Sequence, residues 1–281
     1  MIVERRKPLH ARIGVVAVGH HTYWDQFDGL LDELMGKMQV FVDRVAAEDV
    51  TVETFGMLDC AEASYAALPR IKAADLDLLF IDMVTYATSS TFGALIRELH
   101  IPVVLVALQP LKAMDYARGT TYMQLCNDDF CSVPEFTGVA LRMGRPAPHV
   151  ILGTLYDDPE ADAEISRWCS IARVLHDLRR ARLGHMGHVL ESMLDMHTDP
   201  TAITSTFGAH VVQCEPDELL VPYREAGATE VAAMREQISS FFDTPDPISD
   251  PLTSRLSDRD LENAARVAVA LNHFVDSRNL D

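Results

Sequence analysis

Short apolar runs recur along the first 155 positions, separated by segments with helical spacing. RIGVVAV (12–18) has the continuous apolar character of a strand covered on both faces. A helical pattern follows from about 24 to 47. VTVETF (50–55) alternates as a strand does, and 60–74 is Ala-rich and helical, with Pro69 predicting a kink or break. LDLLFIDM (76–83) predicts a buried strand, 89–99 a helix opening on serine caps, and IPVVLVAL (101–108) another strand. A fifth strand is predicted at 147–155. An acidic helix start at 157–168 follows, with Pro159 in its first turn.

Strands alternating with helices at this spacing predict parallel βαβ units. The expected fold class is α/β: two doubly wound, Rossmann- or flavodoxin-like parallel-sheet domains. The first covers 1–178. The second, 179–281, opens with RRARLGHMGH (179–188), has a strand and helix start at 209–219, and continues with helices near 228–242 and 257–275. Between those helices 243–258 is rich in Pro, Ser and Asp and reads as a loop. The second sheet has too few strands, so this domain is expected to be incomplete.

A chain of 281 residues, 48% hydrophobic, can bury the core of two domains. It has no apolar stretch of bilayer-crossing length. Its basic start lacks an apolar h-region, so no secretory signal is expected. Lys+Arg is 24 against Asp+Glu 42, a net charge of −18. Such a surface repels nucleic acid and anionic membranes, and neither is expected as a partner. Neutral small molecules and metal cations remain. Cys60, Cys126, Cys131, Cys169 and Cys214 are odd in number with no CxxC pair, which predicts reduced thiols and a cytoplasmic location.

Open α/β sheets bind ligands beyond the carboxyl ends of their strands. His20, His21, Tyr23 and Trp24 follow the first strand, Thr85 and Tyr86 the third, Gln109 and Pro110 the fourth. His185, Met186 and His188 follow the first strand of the second domain. The chain has no GxGxxG after a strand, no Walker loop and no GxSxG elbow. His20 and His21 could bind hydroxyls or shuttle protons, or simply be turn residues. His185 and His188 have a spacing that one helix face could turn toward a metal, but Gly184 and Gly187 favour a solvated loop. Asp128 and Asp129 would diverge on a helix, which favours a cap or exposed turn, and Cys126 and Cys131 read as small core residues. Right-handed crossovers are expected to set the ends of the first and fourth strands side by side, placing His21 and Tyr23 in one crevice with Gln109.

The order of these motifs resembles the L-arabinose isomerase and L-fucose isomerase superfamily. Gly19-His20-His21-Thr22-Tyr23 stands where that family has a Gly-Ser-Gln-His-Leu-Tyr-like turn, and Leu108-Gln109-Pro110 where it has Thr-Gln-Phe. MQLCND (123–128) and EFTG (135–138) echo its Met-Asn-Leu-Asn-Gln and Glu-Phe-Gly stretches. RLGHMGH (182–188), TDP (198–200) and TFG (206–208) echo the opening of its next domain. The likeness runs from about residue 12 to the end. His21 departs from the family's Gln, and His185-Met186-Gly187-His188 from its Asp-Asn-Met-Arg.

The resemblance implies the N-terminal part of a metal-dependent aldose–ketose isomerase, supplying substrate-facing residues and an oligomer scaffold. The alternative is a non-catalytic cytoplasmic sugar-binding or regulatory protein on the same scaffold. The family's ion, usually manganese (Mn2+), polarises neighbouring sugar oxygens while carboxylates move a proton. Its ligands are expected outside this chain, so neither catalytic residues nor metal ligands are assigned within it, and 281 residues are not expected to be a complete catalytic unit. His20, His21, Tyr23, Gln109, His185, Met186 and His188 are the expected substrate-binding residues. The expected partners are a small neutral sugar and further copies of the chain, in a homo-oligomer with sites between subunits.

Overall fold

The computed structural model describes residues 8–243, 248, 250 and 256–281. The basic start (1–7) and most of the 243–258 loop lie outside the described residues. The chain divides into two compact units, one ending at Asp177 and the other spanning Leu178–Asp281.

The first unit is α/β. Its strands are β1 (Arg12–Val18), β2 (Thr51–Leu58), β3 (Leu78–Asp82), β4 (Val103–Gln109) and β5 (His149–Thr154). All are parallel, in the flavodoxin-like order β2-β1-β3-β4-β5. The helices are α1 (Leu30–Ala46), α2 (Ala61–Ala73), α3 (Ser89–Ile96), α4 (Thr121–Leu125), α5 (Val133–Arg142) and α6 (Pro159–Leu178).

Two apolar cores cover the two sheet faces. Side chains alternate along a strand, so Leu78 and Phe80 of β3 meet α1 and α6, while Leu79 and Ile81 meet α2, α3 and α5. On α1 the buried stripe is Leu30, Leu34, Met38, Phe41, Val42 and Val45, at helical spacing. Phe41 meets Phe80 edge to face at 5.4 Å, and Phe92 stacks on Phe136 at 4.8 Å. Burying each such ring stabilises the fold by roughly 1.5–3 kcal/mol.

The strand order corrects the expected neighbour of β1. The chain lays β2 on one side of β1 and then crosses back to lay β3 on the other. Both sides of β1 are thereby filled, and β3 separates it from β4. The winding reverses between β1 and β3, and the crevice of a doubly wound sheet opens there.

Several local elements also depart from expectation. The helix expected from 24 starts at Leu30. Residues His21–Tyr23 form a 3-10 turn, and Gly29 at φ 80° then redirects the chain through a conformation that suits glycine. Pro69 does not break α2, because Ala67, Leu68 and Ile71 carry that helix into the core and their burial outweighs one lost hydrogen bond. Serine does not cap α3. The Ser89 N–H donates to Glu135 Oε1 at 2.9 Å.

In the second unit β6 (Arg182–Met186) and β7 (His210–Cys214) pair in parallel as a two-stranded sheet. Its helices are α7 (Pro200–Phe207), α8 (Leu220–Glu225), α9 (Ala228–Phe241) and α10 (Asp258–Ser277). One small core joins Cys214, Phe274 and Leu280 with Met186 and Val212. Another joins Ala226, Val231, Ala265 and Val269. Among the described residues no helix is long and apolar enough to cross a membrane. All five cysteines are unbridged.

Candidate functional site

The turn after β1 is held from below. The Gly19 N–H donates to Leu58 O and the His21 N–H to Asp59 O, tying the turn to the end of β2. Trp24 Nε1 donates to Asp59 Oδ2 at 2.7 Å. A Cβ on Gly19 would lie 3.0 Å from both the Trp24 ring and Met57 Sδ, so a glycine there lets the indole fold back over the strand end. Trp24 is therefore an anchor of the turn.

The remaining rings converge at the switch point. His20 meets Tyr23 edge to face at 5.3 Å, His21 at 5.2 Å, and Tyr86, beyond the end of β3, at 6.1 Å. His20 Nδ1 is buried and has no hydrogen-bond partner among the described residues. His21 is exposed, its Nδ1 3.4 Å from Asp59 O.

Asp128 and Cys131, on the loop between α4 and α5, act electrostatically on Tyr23 and Tyr86. Burial first, then the Asp128 carboxylate, raises Tyr23 above the ordinary phenol range. Burial, then Glu135, does the same to Tyr86. Both phenols stay protonated at neutral pH and can donate as well as accept hydrogen bonds. Burial also raises Asp128, against a hydrogen bond from Cys131 and the charge of Lys37.

Beneath the loop lies a buried charge cluster. Lys37 occupies a core position on α1, between Leu34 and Phe41, yet its ammonium is fully bonded. It donates to Val84 O at 2.8 Å, Cys126 O at 2.8 Å and Asp129 Oδ1 at 2.7 Å. Lys37 is 7% exposed and Asp129 1%. Asp82, at the end of β3, lies on the α1 face of the sheet and is also buried. Burial pushes Asp82 up to about 8 and Asp129 up to about 7, in each case against the attraction of Lys37. Asp129 accepts directly from the ammonium, so it is the ionised member and Asp82 holds the proton.

Asp129 is thus neither a cap nor an exposed turn residue. Lys37 brings it inward, a partner 92 positions away that local spacing does not reveal. Cys126 is buried as expected, whereas Cys131 is exposed.

Gln109 belongs to a different part of the sheet edge. Its Nε2 donates to Asn127 O, and its carbonyl accepts from the Leu155 N–H at 2.8 Å. Asn127 in turn holds the Leu111 N–H and Met123 O. The strand end carrying Gln109 is not the neighbour of the turn carrying His21 and Tyr23, because β3 lies between them. Tyr86 takes the place expected of Gln109.

In the second unit His185 Nδ1 lies 3.2 Å from Gln213 Oε1, and Met186 packs against the small core of Cys214. His188 is exposed, 3.9 Å from Glu215 Oε2. These side chains have separate partners. Among the described residues no three His, Cys, Asp or Glu side chains converge to hold a metal ion. The manganese implied by the resemblance thus has no ligand set among them.

The fold and site define a parallel α/β sheet with a cluster of rings at its switch point. No family model matches the chain, and no curated protein matches it. Among solved structures, the chain is similar to the ligand-free, open form of a substrate-binding protein with adhesive properties from Clostridium difficile. That match has 11% identity and a TM-score of 0.26, covering 82% of this chain and 71% of the other. A conserved domain protein from Vibrio cholerae O1 biovar El Tor matches at 13% identity and a TM-score of 0.27, covering 94% and 71%. Superpositions this loose carry no argument about ligand or activity.

Proposed function

We propose that the crevice between β1 and β3 binds a small neutral polyhydroxylated ligand, a sugar, as a substrate-facing part of an aldose–ketose isomerase. One observation carries the reading. His20, Tyr23 and Tyr86 converge at the switch point of the sheet, and the buried His20 Nδ1 has no protein partner among the described residues. Rings of this kind pack on the C–H face of a sugar, while phenol and imidazole groups pair with its hydroxyls. The motif resemblance supports the isomerase class, the reliance on manganese held elsewhere, and sites shared between copies of the chain. The unbridged cysteines support a cytoplasmic setting.

Trp24 packs against Tyr23 and reports on the site by fluorescence. Titration with a panel of aldopentoses, deoxyhexoses and the matching ketoses should give a saturable change for at least one sugar. Tyr86→Ala should weaken that binding roughly fivefold or more, the loss of about one hydrogen bond and its ring contact. A flat response to every sugar, or unchanged affinity in both His20→Ala and Tyr86→Ala, would refute the reading. Ketose formation by this chain with manganese alone would show that it carries the whole catalytic apparatus, against the expectation that part of it lies elsewhere.

A further inference from the structure

The cluster under the crevice contains one cation and two buried carboxylates. All three Lys37 protons are committed, to Val84 O beyond β3 and to Cys126 O and Asp129 Oδ1 in the loop. None is left for Asp82. The loop is fastened at either end by uncharged bonds: Thr85 Oγ1 donates to Leu125 O and the Ala87 N–H to Ser132 Oγ, each at 2.8 Å. Asn127 is held as well, by the Gln109 amide and the Leu111 N–H, so the stretch that depends on the lysine is 128–131, through Asp129. Asp128 and Cys131, the two groups facing Tyr23 and Tyr86, sit on that stretch.

We propose that Lys37, Asp82 and Asp129 form a proton-linked clasp. With Asp82 protonated and Asp129 ionised against Lys37, the cluster is neutral and the 128–131 stretch of the loop stays seated. When that proton leaves, the loop is released.

The balance is simple. One ammonium neutralises one carboxylate, so the second is tolerated in the interior only as a neutral acid. Losing its proton to solvent leaves an unmatched buried charge, and lifting the loop exposes that charge to water. The groups that bear on it are few. On α1 they are Lys37 and, through Cys126, Glu33. On the loop they are Cys126, Asp128 and Asp129. The residues paired with Asp82 on β1 and β4 are Ala17 and Val106, which are apolar. Burial holds Asp82 at about 8, so release falls between neutral and alkaline pH. The clasp requires no bound sugar and stands or falls separately from the proposed function.

The test is amide hydrogen exchange of the full chain from pH 6 to 9.5, corrected for intrinsic exchange and referenced to α2. In the wild type, protection of 128–131 should fall at least tenfold relative to α2 as pH rises. Asp82→Asn, permanently neutral and nearly isosteric, should abolish the fall. Asp129→Asn should also remove it, because Lys37 is then free to neutralise an ionised Asp82. Flat wild-type protection would overturn the proposal, as would an undiminished fall in Asp82→Asn. If Asp82→Asn does not fold, Asp129→Asn decides: an unchanged alkaline fall in that variant overturns the clasp.

Discussion

His20 and Tyr86 meet edge to face across the boundary between β1 and β3, with ring centroids 6.1 Å apart. That contact joins two strand ends that are adjacent in the sheet but far apart in the chain, and it separates the roles of ring and hydroxyl. Tyr86→Phe keeps the ring and should leave the melting temperature unchanged while weakening sugar binding by roughly the value of one hydrogen bond, about 1 kcal/mol. Calorimetric titration beside a thermal melt checks both. A Phe variant with full affinity would assign the contact to the ring alone.

Lys37 should be far more costly to remove. Lys37→Ala leaves Asp129 buried without its cation and two carbonyls without a donor, and should destabilise the first unit by about 3–5 kcal/mol. Urea unfolding at pH 7 measures it. Lowering the pH to 5 should recover part of the loss, since Asp129 can then take a proton.

Asp158 gives the opposite pH signature. Its carboxylate accepts from the Thr154 N–H at 2.8 Å and the Ala161 N–H at 3.1 Å at the start of α6. Those backbone bonds hold it below the ordinary carboxylate range. A group depressed in the folded state contributes stability above its unfolded value, and that contribution disappears as pH falls through the folded one. Asp158→Ala should therefore cost about 1 kcal/mol at pH 7 and progressively less as pH falls below the ordinary carboxylate range, as read by chemical denaturation across an acid series.

Thiol chemistry should distinguish the cysteines. Denatured, unreduced protein should titrate five thiols. In the native state Cys131 is exposed, while Cys126 and Cys169 are buried and pushed up to about 12. An Ellman assay at pH 8 should show Cys131 reacting first, with Cys126 and Cys169 following only as the protein opens. Loss of the leading phase in Cys131→Ser would confirm the assignment.

Gly208 tests the second unit by itself. It closes α7 at φ 81°, and a Cβ there would lie 3.0 Å from the Arg179 Cα. Backbone cannot step aside as a side-chain tip can. Gly208→Ala should cost at least about 1 kcal/mol, observable as faster exchange in β6 and β7.

The central strands were legible because β1, β3 and β4 are buried on both faces and read as unbroken apolar runs. The ring turn was legible for the same reason, as a polar cluster following such a run. Strand order was not, because a crossover leaves no mark on the local pattern, and nothing near Gln109 reveals that β3 stands between its strand and β1. The charge cluster leaves two signals in the sequence. Lys37 interrupts the apolar stripe of Leu34, Met38 and Phe41, and Asp82 ends the run LLFID. A charged side chain at a core position requires a partner. Asp129 gave no comparable sign, since only the folded chain brings it to Lys37.

The placement of β1 inside its sheet, between β2 and β3, has a consequence for the chain during synthesis. β1 leaves the ribosome first, but its partner β3 follows about 60 residues later. At roughly 5–20 residues per second, a strand whose last six residues are all buried and uncharged spends several seconds without its second neighbour. A pause in translation near β2 would lengthen that interval. The nascent chain is then most exposed to mispairing and to capture by chaperones, before any part of the crevice exists.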